Sequence, residues 1–327
     1  MSRSAILLVG GMGTRLHPLT LSMPKPMLPV AGVPFTEHQI LKARDAGISE
    51  IVLATAFKAE IFQPYFGDGN KFGIEIKYAV EDSALGPGGA IRNAANKLSN
   101  KSSTKEHVAI FNGDVLSGHD LDAQFKFHEN NDADVSLYLT EVPDARAFGA
   151  VELNREQRVL AFNEKMENPP TNIINAGCYI FNRDIIDQIP EGQVISVERE
   201  TFPTLLNRGA KVYGFIDTSY WLDIGTPTAL LKASKDLLTG AINSPATPIH
   251  NGDVLILEGA KVDPTAMIIN GSVIGAGATV DSDAVIDGTI IFDGARIGKG
   301  AKLKNSFVAP DFLVPANLNG EGGFFGF

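Results

Sequence analysis

Up to about Gly240, short runs of apolar and β-branched residues alternate with longer stretches whose apolar positions recur at helical spacing. Ile6–Val9, Ile51–Ala54, Ile74–Tyr78 and Val108–Phe111 read as buried strands. Glu37–Ala46, Gly89–Leu98 and Leu121–Asn130 read as the helices between them. That alternation predicts a Rossmann-like α/β domain with a mixed, mostly parallel sheet covered by helices. A second set of strands follows at Val135–Leu139, Ala150–Leu153, Val159–Phe162 and Ala176–Phe181. Ser196–Asn207 and Pro227–Leu238 carry helical patterns, the latter with proline in its first turn.

The texture changes after Gly240. Ala241–Pro248 is rich in small residues and proline, and no periodicity crosses it. Beyond it Val262, Ile268, Ile274, Val280 and Ile286 fall six apart, and Ile291, Ile297 and Leu303 continue at six after a slip of one. Gly, Ala, Asp and Ser fill the gaps. One inward apolar residue per six suits a short left-handed parallel β-helix of hexapeptide repeats better than coincidental strands and turns. Residues 1–240 are therefore expected to form one domain, 241–250 a linker, and 251–327 the β-helix with a Gly/Phe tail, Glu321–Phe327. So few coils need a neighbour to pack on, which points to a homo-oligomer or to docking on the first domain.

Composition narrows the class. The 327 residues are 44% apolar and 20% charged, which is globular and large enough to bury a core without disulfides. The formal charge of −10 leaves no general basic face for nucleic acid, although a few local cations can still make a phosphate site. No apolar run is long enough for a membrane span, and Met1–Val9 is too short for a secretory core, so a cytoplasmic protein is expected. The single cysteine, Cys178, sits in an apolar strand pattern and reads as a core thiol. Six histidines show no metal-ligand spacing.

The strongest chemical signal is Gly10–Lys25, GGMGTRLHPLTLSMPK. Glycines directly after a strand let successive N–H groups face an anion without Cβ obstruction. Arg15 adds a fork-shaped cation, and Lys25 a point charge stiffened between Pro24 and Pro26. A Walker A loop is excluded, because Gly-Lys-Ser/Thr is missing, and Leu16 stands where a dinucleotide fingerprint needs glycine.

Leu8–Thr20 with Pro24-Lys25-Pro26 resembles the signature of the sugar-1-phosphate nucleotidylyltransferases. Further blocks follow in order: Glu81 with Leu85–Ala90, Asn112-Gly113-Asp114, Phe162–Lys165, Asn175-Ala176-Gly177 and Trp221–Pro227. Within that family the likeness is nearest to the bacterial mannose-1-phosphate guanylyltransferases, through Ser196–Glu200 and Trp221–Pro227. The chain departs from the family at Val9 (commonly Ala), Pro87 (commonly Thr) and Met166 (commonly Pro).

The resemblance implies attack of a sugar 1-phosphate oxygen on the α-phosphorus of a nucleoside triphosphate, with GTP and mannose 1-phosphate as the favoured pair. It makes Arg15, Lys25, Asp114 and Asp223 the catalytic set, with Asp114 and Asp223 as Mg²⁺ ligands. It assigns Gly10, Gly11, Gly13, Thr14, Arg15, Glu81, Gly86 and Gly113 to the nucleotide. Gly149, Glu164, Lys165 and Asn175 fall to the sugar phosphate, Gly149 by allowing close approach. Glu81 can accept both N1–H and the exocyclic amine of guanine, which thymine and uracil do not offer together. Three alternatives stay open: dTTP or UTP with glucose 1-phosphate, a non-catalytic nucleotide-sugar-binding subunit, and an acyltransferase. The last would want a histidine in the repeat, and none occurs between Gly252 and Phe327.

Overall fold

The computed structural model describes residues 3–55, 59–81, 83–99 and 106–327. The chain divides into two compact units: Met1–Met12 with Gln39–Trp221, and Gly13–His38 with Leu222–Phe327.

The first unit is built on a nine-stranded sheet. Its strands are β1 (Arg3–Leu8), β2 (Glu50–Thr55), β3 (Glu75–Val80), β4 (His107–Asn112), β5 (Val135–Glu141), β6 (Gly149–Leu153), β7 (Val159–Glu164), β8 (Ile173–Asn182) and β9 (Val212–Ile216). The order runs β7-β6-β8-β4-β1-β2-β3, with β5 on β8 and β9 on β5. β1 pairs in parallel with both β2 and β4, as strands separated by helices must. The parallel order stops at β4, because β8 lies antiparallel to β4, β5 and β6, and β7 returns antiparallel on β6. β1 and β2 bury almost every residue, which explains their unbroken apolar texture.

The main helices lie where the periodicity puts them, the last of them in the second unit. They are α1 (Phe35–Asp45), α2 (Gly86–Ala95), α3 (Leu121–Asn130), α4 (Phe202–Asn207) and α5 (Pro227–Leu238). α2 begins three residues before the expected Gly89, because Pro87 occupies its first turn, where no N–H is needed. The Ser196–Asn207 pattern is one π-helical turn, Val197–Thr201, running into α4, with Thr201 N–H bonded to Ser196 O. The main core of this unit gathers Ile6, Val52, Ile91, Ile110, Leu137, Tyr179, Phe181 and Phe202 over one face of the sheet. Cys178, the register partner of Phe111, is buried against the other face, and burial pushes its thiol up to about 12, as a core residue requires.

The second unit holds the segment Gly13–His38, α5 and a parallel β-helix of three short-stranded sheets. Ile274, Val280, Ile286, Ile291, Ile297 and Leu303 are all buried, as the hexad pattern anticipates. The slip of one after Ile286 recurs in every later coil, since Val273 pairs with Ile290, Ile290 with Phe307 and Phe307 with Phe324. A column of buried hydroxyls marks that shortened corner. Thr289 N–H donates to Ser272 Oγ, Ser306 N–H to Thr289 Oγ1, and Gly323 N–H to Ser306 Oγ. The tail forms the last rung: Phe325 follows Val308 in register, and the Phe324 ring stacks on Phe307 at 5.5 Å. Among the described residues no helix is long and apolar enough to cross a membrane.

His38 ties the segment before α1 to the chain after α5. Its Nε2 donates to Val30 O and its Nδ1 accepts from Ser244 Oγ. Burial lowers its pKa to about 4, well below the unfolded value near 6.5. The unfolded chain therefore takes up a proton between those values that the folded one refuses, and this part of the stability is full above pH 6.5 and lost as the pH falls toward 4. We expect the destabilisation caused by His38→Asn to shrink by about 2 kcal/mol between pH 7 and pH 5. Urea melts of both proteins at the two pH values read the difference, and a pH-independent gap would refute a neutral buried imidazole.

Candidate active site

In the second unit the chain from Gly13 builds a tight basic loop. Gly13 has φ +62°, and a Cβ there would lie 2.8 Å from Lys25 Cβ and 3.2 Å from Thr20 Cγ2. Thr20 Oγ1 donates to Gly13 O at 2.9 Å and closes the loop. Lys25 opens a short turn, Lys25–Met27, whose backbone is constrained by the prolines on either side. The Arg15 guanidinium lies so near Gly225 that a Cβ there would touch Nη2 at 2.8 Å. Thr14 and Arg15 are exposed, as an anion site must be before its ligand arrives. Asp223 ends a short strand, Trp221–Asp223, two residues before Gly225.

In the first unit β1 delivers Gly10 and Gly11, and a Cβ on Gly11 would meet nothing within 4 Å. Beside it β4 ends in the turn Asn112-Gly113-Asp114. Gly113 N–H donates to Leu8 O at 3.0 Å, and a Cβ on Gly113 would sit only 2.2 Å from that oxygen. Gln39 of α1 braces the turn, its Nε2 donating to Asn112 O at 2.8 Å and Val115 O at 3.3 Å. Lys42, one helical turn on, donates to Ser117 O at 2.7 Å. Burial brings the Lys42 ammonium down to about 8.

Glu81 follows β3 and is half-buried. Its Oε2 accepts the Leu85 N–H at 2.9 Å, and burial raises its pKa. Asp82, its neighbour in sequence, lies outside the described residues. The start of α2 is glycine-rich because another segment presses on it. Ile195 N–H donates to Leu85 O, Gly88 N–H donates to Ile195 O, and a Cβ on Gly86 would meet Ile195 O at 2.7 Å.

The remaining predicted residues cluster at the β6-β7-β8 end of the sheet. Gly149 and Glu164 are register partners, and a Cβ on Gly149 would strike the Phe162 ring at 2.8 Å and Glu164 Oε2 at 2.9 Å. The missing side chain at Gly149 thus makes room for the Glu164 carboxylate. Lys165 follows with φ +43°, a left-handed conformation that non-glycine residues rarely adopt outside functional turns. Its Nζ is 3.7 Å from Glu164 Oε1 and well exposed. Asn175 sits where β8 slips its register against β5. Its Oδ1 accepts the Gly177 N–H, and its Nδ2 donates to Tyr179 Oη at 2.8 Å.

Two groups at this end were missed by sequence reasoning as site residues. Tyr179 is wholly buried, and its hydroxyl accepts from Asn175 Nδ2 and donates to Glu198. Glu198 lies on the π-helical turn, with Oε1 3.4 Å from Tyr179 Oη and Oε2 3.3 Å from Ser196 Oγ. The available signals were an acid in the Ser196–Glu200 block and a phenol inside an apolar strand.

A family model described as nucleotidyl transferase matches residues 4–240. The chain belongs to the nucleotidyl transferase family. This transferase is 51% identical over 275 residues to a mannose-1-phosphate guanylyltransferase of Mycobacterium tuberculosis, a match covering 84% of the chain and 75% of that protein. It is 38% identical to a D-glycero-α-D-manno-heptose 1-phosphate guanylyltransferase of Aneurinibacillus thermoaerophilus, covering 71% of the chain and 97% of the relative. Among solved structures, HddC from Yersinia pseudotuberculosis superposes with a TM-score of 0.60 at 28% identity, covering 71% of the chain and 98% of HddC.

The nucleotidyl transferase is an enzyme whose substrates are a nucleoside triphosphate and a sugar phosphate, and enzymes of this type work with a divalent metal ion. Asp114 of the first unit and Asp223 of the second each carry carboxylate oxygens, the donor type that a hard divalent ion takes alongside phosphate oxygens and water. Among the described residues no group of three or more His, Cys, Asp or Glu could hold a metal ion.

Proposed function

We propose that this chain is a mannose-1-phosphate guanylyltransferase that uses Mg²⁺, joins the guanylyl group of GTP to mannose 1-phosphate and releases diphosphate. The observation that carries the reaction type is the basic loop in which Lys25 backs onto Gly13 and Arg15 lies over Gly225. The relatives support the base and the sugar. The two named above are both guanylyltransferases of manno-configured sugar 1-phosphates, so guanine has support from each.

The nucleophile is a phosphate oxygen already charged at neutral pH, so no general base is required. The obstacle is repulsion between two polyanions, and catalysis comes from positioning and charge neutralisation. Arg15 and the Gly10, Gly11, Gly13 and Thr14 backbone are assigned to the β/γ end of the triphosphate, and Gly113 to the same nucleotide. Lys25 meets the α-phosphate, where charge rises as the new bond forms. Lys165 pairs with the sugar's own phosphate, Glu164 and Asn175 accept and donate at its hydroxyls, and Gly86 borders the base. Asp114 and Asp223 would hold the Mg²⁺, which when bound neutralises phosphate charge. Glu81, one oxygen already engaged by Leu85 N–H, keeps lone pairs for the two adjacent donors of guanine.

In this reading residues 1–240 are the catalytic domain, 241–250 the linker and 251–327 the β-helix, and the enzyme is a cytoplasmic homo-oligomer. A regulatory subunit would be free to lose Lys25, Asp114 or Asp223, and all three are present. Diphosphate release measured for four nucleoside triphosphates with mannose 1-phosphate and glucose 1-phosphate tests the reading. GTP with mannose 1-phosphate is expected to exceed every other pair by at least about tenfold in kcat/KM, a hydrogen-bonding discrimination. Glu81→Gln should narrow the preference for GTP over dTTP. Faster turnover of dTTP or UTP with glucose 1-phosphate would replace the substrates, and no turnover with tight nucleotide-sugar binding would replace the class.

A further inference from the structure

Four elements bring polar groups together at the β6-β7-β8 end of the sheet: Gly149 with Glu164, Asn175 at the slip in β8, Tyr179 farther along β8, and Glu198 on the π-helical turn. The last comes from a separate part of the chain. Ser196 starts its turn as a cap, Oγ accepting the Arg199 N–H, while Glu200 reaches back to the Ser196 N–H. Glu200 does this from the fourth position rather than the third, because the π turn inserts one residue. The turn also holds the Glu198 carboxylate against Tyr179 Oη.

This arrangement is electrostatically odd. Glu198 is mostly buried, and it feels the negative charge of Glu164. Among the described residues no lysine or arginine forms an ion pair with Glu198, and the Lys165 ammonium is 3.7 Å from Glu164 alone. Burial first, and Glu164 in addition, push the Glu198 carboxyl above its ordinary range. Two carboxylates that feel each other's charge are offset well by a neutral ligand rich in hydroxyl donors. A pyranose supplies neighbouring O–H groups on a rigid ring. It also carries the phosphate that Lys165 can meet.

We propose that Glu198 is a sugar-specificity residue: together with Glu164 it accepts hydrogen bonds from ring hydroxyls of the sugar 1-phosphate, and the Tyr179 hydroxyl holds it in place. Tyr179 is a positioning residue. Its hydroxyl joins Glu198 to Asn175, so one buried phenol aligns the two side chains on the sugar side. The inference rests on the sugar-phosphate reading of this end of the sheet. It does not depend on which sugar is used.

The test takes the sugar phosphate that the substrate panel selects and its monodeoxy analogues. Glu198→Gln keeps the size and leaves an oxygen for Tyr179. It is expected to raise the KM for the sugar phosphate about ten- to a hundredfold, with the Kd for GTP and the thermal midpoint unchanged. In the wild type, deleting the hydroxyl read by Glu198 should cost most of that factor. In Glu198→Gln the same deletion should cost little more, while deletions elsewhere cost both proteins equally. Tyr179→Phe, which keeps the buried ring, should give a smaller rise in the same KM. An unchanged penalty across the deoxy series would overturn the proposal, as would a matching loss of GTP affinity. A shift confined to the Mg²⁺ requirement would also overturn it, in favour of a metal at the paired carboxylates. Failure of mannose 1-phosphate in the panel bears on the functional reading alone, since the deoxy series follows whichever sugar phosphate is turned over.

Discussion

Alanine at Lys25 is expected to lower kcat by about 10²–10³-fold while the KM for GTP moves by less than about threefold. The reason is where the cation acts. The ground-state triphosphate already has Arg15 and a row of backbone N–H groups, so losing one more cation weakens its binding little. Charge at the α-phosphate builds only as the second phosphate oxygen approaches, and a cation aimed there is realised in the transition state. The fold holds Lys25 for this task. Prolines flank it, its Cβ lies where a Gly13 side chain would have to be, and Thr20 closes the loop from behind. Steady-state kinetics with both substrates varied give the answer. An unchanged kcat with a raised KM for GTP would mean that Lys25 only binds.

Gly113→Ala should put a single methyl group where the first unit has no room for it. Its Cβ would lie 2.2 Å from the carbonyl oxygen of Leu8 and 3.4 Å from Val9 Cγ1. The first neighbour is backbone in the middle of a sheet, so no side-chain rotation relieves the overlap. Either β4 moves away from β1, losing the 3.0 Å bond from Gly113 N–H to Leu8 O, or the turn itself shifts. One choice displaces Gly10 and Gly11, the other displaces Asp114. We expect a loss of about 3 kcal/mol in stability. Even at a temperature where the variant is folded, kcat/KM should drop by at least about 10²-fold, because misplacement near 1 Å at a reacting centre costs that much. Calorimetry and low-temperature kinetics measure the two separately. A normal melting temperature with normal activity would show that the turn is softer than its packing implies.

Much of this molecule was readable before any coordinates. β1 to β8 and the helices α3 and α5 lie where the apolar periods put them, because a period of two or of three to four residues is set by local backbone geometry and the face that must be buried. Of that sheet only β9 went unread. The hexads were readable for the same reason, each inward residue belonging to one short face. The boundaries that moved were those set by partners distant in the chain. α2 starts early at Pro87 and carries glycines because Gln193 and Ile195 press on it. The run after Ser196 takes a π turn, and no residue pattern announces one.

The site divides along the same line. The chain alone determined the kind of chemistry: glycines, arginine and lysine after the first strand, single carboxylates after later ones, and a repeat of six at the end. It also led to the family. Tertiary structure decided which groups meet. It set Gly149 against Phe162 and Glu164, and Gly113 against Leu8. It also joined Asn175 and Glu198 through one buried phenol, and ran a column of hydroxyls along the shortened corner of the β-helix. The physical reason is range. Propensity, periodicity and turn chemistry act between residues a few positions apart and are written in order along the chain. Close approaches between residues far apart in sequence arise only when sheets and turns pack, and their value depends on tenths of an ångström that no linear pattern encodes.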